Sequence, residues 1–367
     1  MKNRDGIEPV NTTSDQLQAW LGELCPPAGI EIVGAVGLPC RIPHRQQWLK
    51  WVQDGRHGGL DYLVREPENR ADPNLKNPWA QSVLVMAHRY TAGWPAGDED
   101  PTAGGEIPLD APWTQRVSRY ARGRDYHDVL LKSMRQVLRG LKEKIPGLEA
   151  FPSTDTGPYL EREYAWLAGL GFLGHNQCLI HEKLGSGMFL GVALTNLHVD
   201  GLPASGMPAA DALYTIAPRR KRPPILPPVN LCGSCTRCLD ACPTGALDLS
   251  KGLDANLCLS AWSIEWRGGA PEESAHLQGG LLFGCDICQA VCPWNNRAAG
   301  HEDDYPAVNE AYDTLAGYQE LSLMDLEVIS NDDFRSHFKK TPIWRCHPDG
   351  MRRNARLVRR NLEEGEK

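Results

Sequence analysis

Residues 232–243 read Cys232-Gly-Ser-Cys235-Thr-Arg-Cys238-Leu-Asp-Ala-Cys242-Pro243, and residues 285–293 read Cys285-Asp-Ile-Cys288-Gln-Ala-Val-Cys292-Pro293. With Cys258 between them, these stretches hold eight of the twelve cysteines of the chain. Cysteines separated by two residues can wrap one corner of an inorganic iron–sulfur cube, and the cysteine before proline ligates the other cube of a pair. The spacing therefore predicts two 4Fe–4S clusters.

The same rule divides the eight thiolates into two ligand sets. Cluster I takes Cys232, Cys235, Cys238 and Cys292, and cluster II takes Cys242, Cys258, Cys285 and Cys288. Zinc is the alternative, since it also binds C-x-x-C pairs, but these two runs are hard to divide into tetrahedral sets. A disulfide framework would require a secreted protein, and nothing in the chain indicates secretion. The spacing therefore favours two 4Fe–4S clusters over zinc or disulfides.

Length and composition limit what surrounds the clusters. A two-cluster segment needs about 70 of the 367 residues, so the larger part of the chain must use the electrons. The formal net charge of −7 argues against a protein that coats nucleic acid, but it allows a local basic face. The N-terminus is polar, and no apolar run reaches the ~20 residues of a membrane span. We expect a soluble, cytoplasmic protein with no membrane partner.

Apolar periodicity predicts how the first 200 residues fold. Helical spacing is found at residues 14–24, 44–53, 125–143 and 158–170. Strands are predicted for residues 30–38, 81–88 and 188–195, and the second of these is apolar enough to be buried on both faces. Strands that alternate with helices indicate an α/β domain.

The remaining chain divides by composition. Residues 201–230 form a proline-rich connector that contains the basic run Arg219-Arg220-Lys221-Arg222. The two-cluster domain follows at residues 231–300, and residues 301–367 form a helical segment with a basic end. Cys25, Cys40, Cys178 and Cys346 lie outside the ligand spacings and are expected to be packing residues.

Several motifs occur in an order that resembles the epoxyqueuosine reductases, cobalamin-dependent iron–sulfur enzymes of tRNA modification. They are Ser118-Arg-Tyr-Ala-Arg-Gly-Arg-Asp-Tyr-His127, Asp155-Thr-Gly-Pro-Tyr-Leu-Glu161, Ala168-Gly-Leu-Gly-Phe-Leu-Gly174, the two cysteine runs and the tail from Phe334 to Ala355. Each motif is short, so the resemblance rests on their joint order over almost the whole chain.

The resemblance implies a fold and a reaction. The fold class is α/β (α+β): an N-terminal cobalamin-binding domain at residues 1–200, related to reductive dehalogenases, then a ferredoxin-like domain and a short helical C-terminal tail. The reaction is reduction of epoxyqueuosine to queuosine at the wobble position of tRNA, with cobalamin fed by two 4Fe–4S clusters. The expected partners are tRNA and an electron donor such as ferredoxin or flavodoxin, and we expect a monomer.

The resemblance also assigns Asp155 as the general acid. Opening an epoxide leaves an alkoxide, which a nearby acid must protonate. The residues alone leave an alternative open, because an aspartate shortly before a proline often caps a helix, here one that would begin near Pro158.

The resemblance implies cofactor contacts from a further set of residues, with Asp286 and Ile287 contributing backbone between cluster II ligands. They are Arg70, Ser118, Arg119, Tyr120, Tyr126, His127, Asp286 and Ile287. The basic stretch within this set has an equally simple explanation as the solvated start of a helix.

A basic surface for RNA is expected near the C-terminus and in the connector. Its candidates are Lys339, Lys340, Arg345, Arg352, Arg353, Arg356, Arg359 and Arg219 to Arg222. The chain departs from the family pattern at His175, where lysine is usual, and at Gly185-Ser186-Gly187-Met188-Phe189, where Gly-Ser-Trp-Phe is usual. The competing functions are a cobalamin-dependent reductase of a small molecule, such as a dehalogenase, and a pure electron carrier.

Overall fold

The computed structural model describes residues 6–40, 42–94, 107, 111–200, 202, 231–298 and 307–365. The described strands are β1 (Val10–Thr13), β2 (Ile32–Gly37), β3 (Ser82–Arg89), β4 (Ala150–Ser153), β5 (Phe172–Leu173), β6 (Leu179–Ile180), β7 (Met188–Thr195), β8 (Leu197–Asp200), β9 (Leu247–Asp248) and β10 (Gly252–Leu253). The described helices are α1 (Ser14–Leu24), α2 (Arg45–Gln53), α3 (Pro67–Ala71), α4 (Tyr126–Lys144), α5 (Glu161–Leu167), α6 (Arg237–Asp240), α7 (Leu259–Ile264), α8 (Ile287–Ala290), α9 (Pro293–Ala298), α10 (Leu323–Val328), α11 (Asn331–Phe338) and α12 (His347–Gly365).

The first 200 residues are built on a four-stranded sheet with the order β2-β3-β7-β4. Every neighbouring pair in it is antiparallel: Ile32 lies opposite Ala87 in the first pair, and Ser82 lies opposite Thr195 in the second. Helices therefore connect antiparallel strands, and the domain is of the α+β kind. The prediction that β3 is buried on both faces is confirmed along its whole length.

Helices cover both faces of this sheet. Alternate side chains of β3 point to opposite faces, so Leu84 and Met86 pack against α1 and α4, while Val83 and Val85 pack against α5. Glycine allows the close approach: a Cβ atom added at Gly191 of β7 would collide with the α4 methionine sulfur. The three layers bury two apolar cores, one on each face of the sheet.

The predicted helices agree with the structure, with one correction. The helices over 14–24, 44–53 and 125–143 are α1, α2 and α4, with bounds that differ by at most one residue at either end. The helix over 158–170 is shorter than predicted, because α5 spans only Glu161–Leu167. Pro158 belongs to the turn before it, where the chain reverses after Asp155.

The C-terminal helices pack against two distant parts of the chain. Phe334, Phe338 and Val358 are buried with Trp113 and Phe283 in one apolar cluster. Two backbone hydrogen bonds join the same parts: Ser118 N donates to Phe283 O at 2.8 Å, and Leu282 N donates to Arg116 O at 2.8 Å. The segment before α4, the two-cluster region and the C-terminal helices therefore share one core.

The predicted domain bounds fall partly outside the described residues, since the connector at 203–230 and the basic run Arg219 to Arg222 lie there. Among the described helices, none has the length and apolar character that a membrane crossing would require.

Candidate functional site

The four cysteines assigned to cluster I surround one space. Cys232, Cys235, Cys238 and Cys292 line a cavity of about 180 Å³, together with the side chains of His175, Arg237, Trp294 and Arg297. Cys238 lies within the short helix α6, and Cys292 directly precedes α9. Residues 54 positions apart in sequence thus meet around a single cavity, as a shared cluster requires.

Backbone amides point at the sulfur atoms of this set. Burial raises the pKa of the Cys232 thiol, and the His175 N–H opposes this increase by donating a hydrogen bond. Burial raises the pKa of Cys292 as well, and the N–H groups of Trp294 and Asn295 oppose it. Hydrogen bonds to the sulfurs stabilise thiolates and set the potential of a bound cluster. The donor set fits a 4Fe–4S cluster.

The cysteines assigned to cluster II are also close together. Burial raises the pKa of Cys285, and the neighbouring charges of Cys258 and Cys242 raise it further, while the Ile287 N–H opposes the increase. Burial holds the pKa of Cys288 well above its usual range, as do Cys178, Cys285 and Cys258. The structure therefore brings the four predicted ligands together. It also places Cys178, expected to be a packing residue, beside them.

Among the described residues, no three His, Cys, Asp or Glu side chains converge closely enough to hold one metal ion.

Asp286, between two cluster II ligands, ties the cluster region to the segment before α4. Its carboxylate accepts a hydrogen bond from Ser118 Oγ at 2.5 Å and another from Arg119 N at 2.8 Å. Only 1% of Asp286 is exposed. Gly284 has φ 74°, and a Cβ atom there would lie 2.5 Å from Ser118 Cβ. The side chains of Ser118 and Asp286 therefore bind each other and hold the two segments together.

Trp94 lies beside Gly187, and Arg119 lies over the Trp94 ring. The Arg119 guanidinium donates to Gly93 O at 2.8 Å and lies 5.2 Å from the centre of the Trp94 ring. A Cβ atom at Gly187 would lie 3.3 Å from the Trp94 indole. Trp94, five residues after the end of β3, therefore lies against Gly187.

An aromatic wall runs from the cluster region to α4. Tyr126 stacks on Phe189 with ring centres 4.2 Å apart and planes 4° apart. Tyr120 makes edge and tilted contacts with Phe189 and Phe283 at 6.4 and 6.3 Å. Burial holds the pKa of Tyr120 well above its usual range, so this phenol stays neutral. Ile287, which is 9% exposed, is buried with Leu281 in a neighbouring apolar cluster.

Asp155 lies at the end of this wall within a small hydrogen-bonded group. Tyr126 Oη donates to Asp155 Oδ2 at 2.8 Å, and His127 Nε2 lies 3.3 Å from the same oxygen. The other ring nitrogen, His127 Nδ1, lies 2.7 Å from Asp125 Oδ1. Asp125 is the N-cap of α4, where its side chain accepts from the His127 backbone N–H, so the helix start fixes the histidine between two carboxylates.

This arrangement sets the charges. Desolvation opposes the charge on His127, but hydrogen bonds to Asp125 and Asp155 outweigh it and raise the histidine pKa to about 9. Desolvation likewise opposes the charge on Asp155, but hydrogen bonds from His127 and Tyr126 outweigh it and lower the aspartate pKa. At neutral pH the pair is an imidazolium next to a carboxylate.

Asp155 is accessible to solvent. Its side chain is 58% exposed, although desolvation by the surrounding protein acts on its charge. Its φ of 53° is in the left-handed region, which is uncommon for aspartate and is found at functional sites. The capping alternative is wrong, because α5 begins at Glu161 and has no side-chain cap.

Arg70 and Glu161 hold the loop that carries Asp155. Arg70 is buried and donates to Gly157 O at 3.2 Å and to Tyr62 O at 3.1 Å. Burial and the Asp155 charge raise the pKa of Glu161 to about 8, while the Asp155 backbone N–H donates to its carboxylate and opposes the rise. Arg70 thus binds the backbone of the loop that carries Asp155. Glu161 and Asp125 are site residues that the sequence pattern alone does not single out, although each lies inside one of the family-like motifs.

Within the described part of the chain, five of the seven basic residues expected to face RNA, all of them arginines, bind other groups of the protein. Arg353 donates to Trp266 O at 2.9 Å, and Arg352 donates to Ile329 O at 2.6 Å. Arg359 pairs with Glu327, and Arg345 pairs with Glu265 and lowers the Asp155 pKa from a distance. Arg356 Nη2 lies 3.4 Å from Glu327 O. These arginines stabilise the C-terminal helices, which the expectation of an RNA face had not foreseen.

Two family profiles match the chain. Residues 231–295 match the 4Fe-4S double cluster binding domain, and residues 70–156 match the profile described as Epoxyqueuosine reductase QueG, DUF1730. The cysteine motifs and the Asp155 loop lie in these two ranges. The chain therefore carries a double 4Fe–4S cluster domain.

Whole-chain relatives carry the same name. The epoxyqueuosine reductase of Gloeobacter violaceus is 36% identical over 83% of this chain and 84% of its own. That of Leadbetterella byssophila is 29% identical over 94% of this chain and 98% of its own. A crystal structure of epoxyqueuosine reductase with an epoxyqueuosine-modified tRNA-Tyr stem loop matches with TM-score 0.73 and 26% identity, over 96% of this chain and 84% of that one. A structure of the Bacillus subtilis enzyme, with an aspartate-bearing catalytic loop swung out of the active site, matches with TM-score 0.72 and 25% identity over the same shares. The chain belongs to the epoxyqueuosine reductase family, and the resemblance of its motifs is confirmed.

Proposed function

We propose that this member of the epoxyqueuosine reductase family reduces epoxyqueuosine in tRNA to queuosine. Support comes from its relatives' shared name and from the related structure that holds an epoxyqueuosine-modified stem loop. Removal of the epoxide oxygen consumes two electrons and two protons and releases water. The protein must therefore deliver electrons and protons to one bound nucleotide.

Two 4Fe–4S clusters and cobalamin are the proposed cofactors. Cobalamin, when bound and reduced, supplies a strong nucleophile for carbon. We infer that it occupies a depression in front of Asp155, next to Tyr120 and Tyr126 of the aromatic wall, with Asp286 and Ile287 as further proposed contacts. Asp155 is reachable there although the surrounding protein desolvates its charge.

The proton comes from the His127–Asp155 pair. A ligand that closes the depression removes water from both groups, which raises the pKa of the carboxylate and lowers that of the imidazolium. The proton then moves from His127 Nε2 to Asp155 Oδ2 along the existing 3.3 Å contact. Asp155 gives it to the epoxide oxygen as the carbon–oxygen bond opens, and a second proton, taken up from solvent by the same pair, lets that oxygen leave as water. The observation that carries this role is an accessible aspartate in a left-handed turn, bonded to two proton-bearing side chains.

Electrons enter on the cluster I side. Arg237 and Arg297 are exposed at the rim of the cluster I cavity and would meet an acidic carrier of the ferredoxin or flavodoxin class. We place the activity in the cytoplasm, where reducing conditions preserve thiolate ligands, and we propose a monomer.

The test is anaerobic turnover of epoxyqueuosine-containing tRNA with cobalamin and a strong reductant, followed by mass analysis of the nucleosides. The wild type should form queuosine, and Asp155→Asn should reduce kcat by about 10²- to 10⁴-fold. Asp128→Asn is the matched control, since Asp128 is an exposed aspartate in the first turn of α4, and it should retain wild-type activity.

Absence of product from wild-type protein loaded with all three cofactors would reject this substrate. Equal losses in Asp155→Asn and Asp128→Asn would reject the role of Asp155.

A further inference from the structure

We propose that an open cavity beside α11 binds backbone phosphates of the substrate RNA. This basic cavity is about 510 Å³ in volume and lies between the residue before Asp125 and the end of α11. It is lined by Arg124, Leu315, Asp332, Arg335, Ser336, His337, Lys339, Lys340 and Thr341. The inference rests on the proposed function and names how the same substrate is held.

The charge of the basic cavity favours an anion. Its lining includes four permanently charged cations, Arg124, Arg335, Lys339 and Lys340, against the single carboxylate of Asp332. All four are exposed, and none forms an ion pair with another residue in the described ranges. The C-terminal dipole of α11 opposes an anion by about half a charge, which four cations outweigh.

These cations differ from the other basic residues of the C-terminal region. Arg345, Arg352 and Arg353 are held by a glutamate, an aspartate or carbonyl oxygens. Lysine and arginine side chains without such partners can neutralise phosphate, releasing counterions from the nucleic acid. Lys339 and Lys340 were candidates from sequence, and the structure adds Arg124 and Arg335 to them.

The basic cavity is directly connected to the proton donor. Asp125 N donates to Lys340 O at 2.9 Å, and Asp125 holds His127, which contacts Asp155. Arg124 is three residues before His127, so their Cα atoms are at most about 11 Å apart. Phosphates that flank a nucleotide bound at Asp155 would therefore reach this cavity.

Phosphodiester backbone suits the basic cavity better than a small free anion does. Its cations are exposed and spread over two chain segments, so a strand can pass across them. Such contacts position a nucleic acid without reading its sequence. We therefore assign the basic cavity to phosphates next to the modified nucleotide.

The experiment compares two triple variants that each remove three positive charges. Arg335→Gln/Lys339→Gln/Lys340→Gln removes three of the four cations of the basic cavity, and Lys132→Gln/Arg135→Gln/Arg139→Gln changes exposed residues farther along α4. Binding of an epoxyqueuosine-containing anticodon stem loop is measured for cofactor-loaded protein at several chloride concentrations. The first variant should bind about 10- to 100-fold more weakly at low salt, with a log–log salt slope smaller by about 2, since each single-strand contact contributes about 0.7. The α4 variant should stay within about twofold of wild type.

An unchanged dissociation constant and salt slope in the first variant would overturn the assignment, as would an equal loss in the α4 variant. A second arm compares potassium phosphate with chloride at equal ionic strength. If phosphate weakens RNA binding by wild type more than by the first variant, phosphate and RNA compete for the cavity cations, as the assignment requires, whereas equal weakening of both proteins would contradict it. This experiment measures binding without turnover. A failure of the phosphate assignment can therefore be told apart from a failure of the wild type to form queuosine.

Discussion

Two aspartates illustrate how differently the molecule treats its two regions. Asp286, between cluster II ligands, is 1% exposed and bound by Ser118 and Arg119. Asp155 is 58% exposed, sits in a left-handed turn and is bonded to groups that carry protons. The first carboxylate fixes two parts of the chain together, and the second is available to a ligand.

The difference follows from what each region has to move. Electrons pass between cofactors that must be held rigidly, so the cluster side is closed by buried thiols, backbone amides and the Asp286 hydrogen bonds. A proton must reach an atom of the substrate, so the donor has to face open space. The account therefore expects changes on the cluster side to alter cofactor content, and changes around Asp155 to alter turnover alone.

Loss of a cluster ligand should have the largest effect. Cys288→Ala removes a thiolate from the proposed cluster II set and should lower bound iron by about half and abolish turnover. Cys178→Ala is the matched control, because Cys178 is a half-buried thiol close enough to Cys288 to raise its pKa. It should keep full iron content. Iron analysis and visible absorbance check both variants, and the opposite pattern would assign the ligand role to Cys178.

Replacement of the histidine should lower activity without changing the cofactors. His127→Gln removes the protonated partner of Asp155 and should reduce kcat by about 10- to 100-fold at pH 7. Wild-type activity should fall above pH 9, because the raised pKa keeps His127 protonated below that value. The kcat-against-pH profile of His127→Gln should lack this decrease. A variant profile parallel to that of the wild type would remove His127 from the proton path.

The contribution of His127 to the stability of the folded protein, like its contribution to activity, decreases as the pH rises. A pKa raised from 6.5 to about 9 favours the folded state fully below pH 6.5, and this advantage disappears as the pH rises through about 9.

A milder change is expected on the cluster side for Asp286→Asn. It weakens two charge-assisted hydrogen bonds, which should destabilise the folded protein by about 1.5–3 kcal/mol and lower the thermal unfolding midpoint. Activity should fall only severalfold once the iron content is matched. Asp313→Asn, at an exposed aspartate, should leave the midpoint unchanged. A large loss of kcat with normal iron and normal stability would mean that Asp286 itself meets the reacting groups.

Much of the fold could be read from local patterns. The apolar run of β3, the spacing of Leu130 and Val137 on α4, and the cysteine motifs are each short-range signals, and the structure contains the elements they predict. The start of α5 was misplaced because Pro158 follows a turn that a left-handed Asp155 creates, and sequence patterns do not show that conformation.

The site was harder to predict because its partners are distant in sequence. Arg353 looks like a free basic residue, but carbonyl oxygens 86 and 87 positions away bind its guanidinium. Glu161 supports the Asp155 backbone only because the chain turns back on itself between them. The sequence shows which residues carry a charge or belong to a motif. The tertiary structure decides which of them are already paired within the protein and which can still contact a ligand.

The most direct test follows electrons and product in one experiment. Wild type and Asp155→Asn, each loaded with cobalamin and both clusters, are reduced anaerobically and then mixed rapidly with epoxyqueuosine-containing tRNA. The account predicts that both proteins reduce to the same extent, and that reoxidation of the clusters is at least about 100-fold slower in Asp155→Asn. Reoxidation at the wild-type rate, or an Asp155→Asn protein that cannot be reduced, would contradict the separation of the proton and electron regions.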